Sequence, residues 1–205
     1  MSQTVNTTNK HTEKKVHPYQ IIMFFLLFAL SSIFAIFTIS QLVTNIGKSF
    51  PDFKIPLIFH ANTIIILLCS YVIHQAKNAF ENENEIDYKR AISITFGLGW
   101  TFLILQSIGF WELFNSGITV SNNLNGSYLY IISAAHALHV IAGLIPLGIT
   151  LYNIRQRKKN LIKSVVFSSD PVNKVKVRLL AVYWHFVDAL WLYLYLFFWL
   201  IILLF

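Results

Sequence analysis

The chain has 205 residues, of which 56% are hydrophobic and only 12% are charged, and its net charge is +7. This composition excludes an ordinary soluble domain and is typical of a protein that crosses a membrane several times. The only cysteine, Cys69, excludes an internal disulfide and a multi-cysteine metal site, so it is interpreted as a small buried hydrophobe.

The first 18 residues are polar, with Thr, Asn, Lys and His. They lack the short apolar core and the small-residue cleavage site of a signal peptide. We therefore predict a disordered cytoplasmic tail over residues 1–18. The rest of the chain, residues 19–205, is predicted to form a single membrane domain.

Five apolar runs follow, each long enough for a transmembrane helix, which needs about 20 residues. The predicted fold class is therefore all-α, a polytopic membrane protein built as a five-transmembrane-helix bundle. The fourth run contains many small residues, such as Ala142 and Gly143, which let membrane helices approach closely. In chain order, the predicted helices cover residues 19–46, 55–76, 91–114, 127–153 and 179–204.

The basic residues are distributed unevenly between the two sides of the membrane. Of the 16 Lys and Arg residues, 14 fall in the tail and in the loops at 77–90 and 154–178, whereas Lys48 and Lys54 fall on the other side. By the positive-inside rule, the N-terminus is cytoplasmic and the C-terminus is periplasmic. The basic segment 154–178 is predicted to contact anionic lipid headgroups, not nucleic acid.

Polar side chains interrupt the last two apolar runs. His136 and His139 lie three residues apart, as do His185 and Asp188, so each pair shares one side of its helix. An aspartate in hydrocarbon costs about 3 kcal/mol on insertion scales, so these residues must serve a purpose.

Three interpretations of these four side chains compete. They could ligate a metal or a haem, but their spacing fits no known ligand motif and their depths in the membrane differ. They could form a proton relay, but a relay needs a longer connected series of titratable groups. The third interpretation, an interhelical hydrogen-bond network that fixes helix packing, is preferred.

Longer motifs surround these residues. The last run reads Tyr-Trp-His-Phe-Val-Asp-x-x-Trp from Tyr183 to Trp191, and the preceding run reads His-x-x-His-Val-x-x-Gly from His136 to Gly143. Both motifs resemble those of subunit III of the haem–copper respiratory oxidases, best known from cytochrome c oxidase. Two shorter upstream stretches are similar to the same family: Asn62-Thr63 with Leu67, Leu68 and Ser70, and Gly99 with Phe102 and Gln106.

The resemblance implies a non-catalytic subunit with no cofactor of its own. Haem and copper would belong to partner subunits of a complex that couples oxygen reduction to proton pumping. This chain would contact subunit I directly and stabilise it, assemble with subunit II and the other subunits, and bind membrane phospholipids. Five helices instead of the more common seven are similar to the short bacterial form, which implies a multi-pass protein of the bacterial cytoplasmic (inner) membrane.

Particular residues are expected to have particular roles. His136, His139, His185 and Asp188 are predicted to form the structural polar network. The possible interface or lipid contacts are Asn62, Gln106, Glu112, Trp184 and Trp191.

In one respect the chain departs from the family. The family often carries a glutamate in its first large core helix, and that place falls at about Leu30 here, so the role of that carboxylate is in doubt.

Other functions stay open at this point. The chain could be the accessory subunit of a quinol oxidase or of a nitric oxide reductase, because the electron donor is bound by other subunits. It could also be a free-standing haem-binding or metal-binding membrane protein.

Overall fold

A computed structural model describes residues 18–45, 56–117, 124–157 and 171–204. These ranges contain five α-helices and no strand, and all five helices are long and apolar enough to cross a membrane. The predicted all-helical, five-span architecture is thereby confirmed. The helices are α1 Pro18–Asn45, α2 Leu57–Glu81, α3 Glu85–Asn115, α4 Leu124–Arg157 and α5 Pro171–Leu204.

Several predictions concern residues outside these ranges. They are the tail up to residue 17, Lys48 and Lys54 of the outer loop, and residues 158–170 of the basic segment.

Helices α2 and α3 extend well beyond the apolar runs that predict them and are joined by a tight turn. Glu83 in this turn adopts a positive φ of 57°. The Asn84 side chain then caps α3, since it accepts a hydrogen bond of 3.2 Å from the backbone N–H of Asp87. Caps and turns set where these helices end, because a helix continues through polar residues once it leaves the membrane.

Four helices form the body of the bundle. Helix α2 packs on α3 and α5, and α4 packs on the other sides of α3 and α5. Helix α1 lies outside this group, against α4 and α5. Large side chains with almost no exposed surface fill the centre, among them Ile66, Phe102, Leu147 and Trp184.

Two glycines allow the largest of these side chains to fit. A Cβ atom at Gly99 of α3 would lie 3.1 Å from the Trp184 ring, and one at Gly143 of α4 would lie 3.3 Å from it. The indole therefore lies between α3 and α4, where any other residue at either glycine would crowd it.

An ion pair marks one end of the bundle. Arg178 of α5 donates from Nε to Oε1 of Glu81 at the end of α2, at 2.8 Å. Helices α1, α3 and α5 begin near this end, which we call the basic end because Arg155, Lys176 and Arg178 also lie there. The other end is called the opposite end.

Candidate functional site

Polar side chains line the boundary between α2 and α5 along its whole length. His185 Nδ1 lies 2.7 Å from the Ser70 hydroxyl, and Trp191 Nε1 donates to the Thr63 hydroxyl at 3.3 Å. In a membrane such bonds satisfy groups that lipid cannot, and they fix how two helices pack. We call this row the α2–α5 seam; its pairs, from the basic end, are Glu81–Arg178, Ser70–His185, Thr63–Trp191 and His60–Tyr195.

Asp188 lies beneath the seam, about 15 Å along α5 from Arg178. It is buried, and neither carboxyl oxygen has a partner of ordinary hydrogen-bond geometry among the described residues. The Ser70 hydroxyl lies close to the carboxyl but does not form an ordinary hydrogen bond with it. Cys69 is buried, as the sequence indicates, and its thiol also lies near the carboxyl. The Cys69 Sγ atom is 3.9 Å from the Thr95 carbonyl oxygen.

The two histidines of α4 lie in different surroundings. His136 is fully buried, and its ring packs against Phe102 and Trp191 with centroids 5.7 and 5.2 Å away. No described residue hydrogen-bonds either of its nitrogens. His139 is half-buried, with Nδ1 2.6 Å from the Ala135 carbonyl of its own helix. Among the described residues, hydrogen bonds therefore do not join the four residues of the predicted network to one another.

Of the five residues named as possible interface or lipid contacts, four are buried within the bundle. Asn62 and Gln106 are fully buried, and Nδ2 of the first donates to Oε1 of the second at 2.9 Å. Trp184 and Trp191 are buried as well, because glycines and other aromatic rings make room for them. Only Glu112, at the opposite end of α3, is exposed.

The described residues contain no group of three or more His, Cys, Asp or Glu side chains close enough to hold a metal ion. What sequence reasoning missed is the polar stripe on α2. His60, Thr63, Ser70 and His74 recur at intervals of three, four and seven residues, which places them on one face of a helix. That period was visible in the sequence; the pairing of α2 with α5 was not.

A cleft separates α1 from α4 and α5 at the basic end. Hydrogen bonds hold α1 in place nearer the opposite end, where the Thr38 and Tyr193 hydroxyls lie 2.8 Å apart. Towards the basic end the helices diverge around a volume of about 890 Å³. Leu30, at the place of the family glutamate, and His139 both line it. Other lining residues are Met23, Pro146, Lys176 and Tyr183.

The seam predicts a measurable effect of its hydroxyl groups. Thr63→Val keeps the shape of the side chain but removes the acceptor for Trp191, so we expect it to lower the free energy of unfolding by about 1 kcal/mol. The matched control is Thr101→Val, since the exposed Thr101 bonds the Gly97 carbonyl of its own helix and no other described residue. Denaturation of both variants in detergent, followed by circular dichroism, measures the difference. Equal losses would contradict a role for the seam.

Comparison with known proteins places this architecture in a family. A family model described as cytochrome c oxidase subunit III matches residues 17–201. A probable cytochrome c oxidase subunit 3 of Rickettsia conorii is 30% identical over 150 residues, which cover 73% of this chain and 48% of the relative. A cytochrome c oxidase subunit 3 of Spodoptera frugiperda is 33% identical over 146 residues, which cover 71% of this chain and 88% of the relative.

The chain spans about half the length of the Rickettsia relatives that it matches. The same holds for the subunit 3 of Pan troglodytes, which is 32% identical over 142 residues covering 69% of this chain and 48% of the relative. The family model, in contrast, extends over nearly all of α1 to α5. The chain belongs to the cytochrome c oxidase subunit III family.

Proposed function

We propose that this chain is the non-catalytic subunit III of a bacterial respiratory terminal oxidase of the cytochrome c oxidase type, located in the cytoplasmic (inner) membrane. Its role is to stabilise the haem–copper catalytic subunit I within a complex that couples oxygen reduction to proton pumping. The family match across all five apolar helices carries this proposal.

The polar side chains within the membrane support a structural role. We assign His136, His139, His185 and Asp188 to helix packing, with haem and copper on partner subunits. The support comes from what three of these groups contact: Ser70 for His185, aromatic rings for His136, and a carbonyl of its own helix for His139.

We further propose that the basic end faces the cytoplasm. Arg155, Lys174, Lys176 and Arg178 all lie at that end of the described helices. Cytoplasmic ends of membrane helices carry an excess of Lys and Arg, so this arrangement supports a cytoplasmic N-terminus and a periplasmic C-terminus.

Phospholipid binding belongs to the same proposal, and we assign it to the cleft between α1, α4 and α5. Its walls are largely apolar, as acyl chains require, and Lys176 lies at its edge near the basic end. An ammonium group at this level attracts a lipid phosphate.

Removal of that charge should therefore change the lipid content of the protein. We expect Lys176→Ala to lower the amount of anionic phospholipid that co-purifies with the complex, while Lys89→Ala, which changes a lysine that does not line the cleft, leaves it unchanged. Lipid extraction and mass spectrometry of the purified protein measure both. An equal loss in the two variants would indicate a general surface-charge effect and would contradict the assignment to the cleft.

Purification of the tagged chain from its native membranes in a mild detergent tests the function as a whole. We expect a large haem-bearing subunit to co-purify, together with a copper-containing subunit if the donor is cytochrome c. Co-purification without that copper subunit would favour the accessory subunit of a quinol oxidase or nitric oxide reductase. A chain that purifies alone and carries its own haem would overturn the proposal.

A further inference from the structure

One side of the α2–α5 seam is open to the surroundings of the bundle. His74 of α2 is exposed, and its ring centroid lies 6.0 Å from that of the half-buried His185 of α5. Lys77 lies one turn nearer the basic end on the same side of α2. No described residue accepts or donates a hydrogen bond at the His74 ring. The surface formed by Ser70, His74, Lys77 and His185 is called the histidine face.

The histidine face lies at a depth where lipid offers no hydrogen-bonding group. Helix α2 has 25 residues and is therefore about 37 Å long, against about 30 Å of hydrocarbon. His74 lies seven residues before Glu81, a rise of about 10 Å. If the excess length of α2 is shared between its two ends, about 3 Å of this rise lies outside the hydrocarbon, which places His74 about 7 Å inside the boundary. Exposed positions at similar distances from the basic end on the other helices, such as Phe25, Ile94 and Ile149, are apolar.

Exposed ionisable groups at membrane depth are unfavourable in lipid and are normally covered by protein. A lipid phosphate stays outside the hydrocarbon, so it reaches Lys77 but not His74 and His185. A neighbouring transmembrane helix reaches all three. The chemistry of the histidine face indicates which side chain the partner helix presents. Two imidazoles and an ammonium group favour a hydrogen-bond acceptor or an anion. The carboxyl of Asp188 faces the same region from beneath but is buried under Ser70.

We propose that the histidine face is the surface on which this chain docks against a transmembrane helix of the catalytic subunit, and that this helix presents an acidic side chain to His74 and His185. The inference rests on the proposed function and adds the surface and the chemistry of the contact. We expect the exposed apolar faces of α1, α3 and α4 to contact lipid.

Photo-crosslinking in the intact complex tests the position of the contact. Benzoylphenylalanine replaces Tyr71, which is exposed one turn from His74 on the same side of α2. The control replaces Trp100, an exposed aromatic residue of α3 that also lies within a membrane-spanning helix. We expect the haem-bearing subunit to be captured from position 71 and not from position 100.

A substitution tests the chemistry. We expect His74→Leu to weaken retention of the chain in the purified complex by about threefold to tenfold, as for the loss of one interhelical hydrogen bond. Gln75→Leu, which removes an exposed polar group at the next position of the same helix, is expected to leave retention unchanged.

The outcomes separate the two proposals. If the wild-type chain fails to co-purify with a haem-bearing subunit, both fail. If it co-purifies but position 100 captures that subunit and position 71 does not, the inference fails and the proposed function stands. Capture of phospholipid or of a second copy of this chain at position 71 also overturns the inference, as does equal retention of His74→Leu and Gln75→Leu.

Discussion

Trp184→Ala is expected to lower the free energy of unfolding by about 3–5 kcal/mol. Only 1% of the Trp184 surface is exposed, and its ring lies between Gly99 of α3 and Gly143 of α4. Helices in lipid are held by close packing and not by exclusion of water, so loss of the ring removes contacts that neighbouring side chains cannot restore. Denaturation in detergent, followed by circular dichroism, measures the loss.

Two further variants identify the cause. Trp199→Ala removes an indole from the same helix at a position that is 49% exposed, so its effect should stay below about 1 kcal/mol. Trp184→Phe keeps most of the buried ring, and no described residue bonds Nε1 of Trp184, so the loss should be smaller than for alanine. Similar losses for the two alanine variants would contradict this account of the bundle.

The five helices could be predicted from the sequence because each is a long apolar run, which only a membrane helix explains. Their ends could not be predicted in the same way. Helix α2 continues to Glu81 and α3 begins at Glu85, inside a segment that is rich in charge. The side chain of Asn84 and the turn before it set these ends, and apolarity carries no information about either.

The candidate site could be predicted only in part. The signature around His185 identifies the residues that α5 contributes, but their partners lie on α2, more than 100 residues away in the chain. The spacing of His136 and His139 also predicted that the two side chains share one environment, which they do not. Two side chains three residues apart still differ by about 60° around the helix axis. This difference suffices to direct the His136 ring into the core and the His139 ring towards the cleft.

The expectation that every polar group in hydrocarbon has a partner holds for some residues and not for others. His185, Asn62 and Gln106 all make hydrogen bonds between helices. Asp188 makes none of ordinary geometry within the described part of the chain. The free-energy cost of a polar group in hydrocarbon predicts that the group needs a polar partner, but it does not say which neighbour is that partner.

Gly143→Leu is expected to lower the free energy of unfolding by about 2–3 kcal/mol through overpacking, the reverse of the cavity left by Trp184→Ala. A Cβ atom at Gly143 would lie 2.8 Å from Cε1 of Tyr183, closer than real Cβ contacts. The Tyr183 ring cannot easily move aside, because its hydroxyl donates to the His139 carbonyl at 2.9 Å. Helices α4 and α5 must therefore separate to admit the new side chain.

Gly97→Leu provides the matched control, since no described residue has a heavy atom within 4 Å of a Cβ at that position beyond its own helix turn and chain neighbours. There the substitution should be neutral or should stabilise the protein, because leucine has a higher helix propensity than glycine by about 0.8 kcal/mol. Gly143→Leu is thus expected to shift the unfolding transition to lower denaturant concentration, and Gly97→Leu is not. If both variants stabilise the protein, helix propensity dominates; if both destabilise it equally, the loss is not specific to Gly143. Either result would contradict the view that close approach of α4 to α5 at Gly143 holds this part of the bundle together.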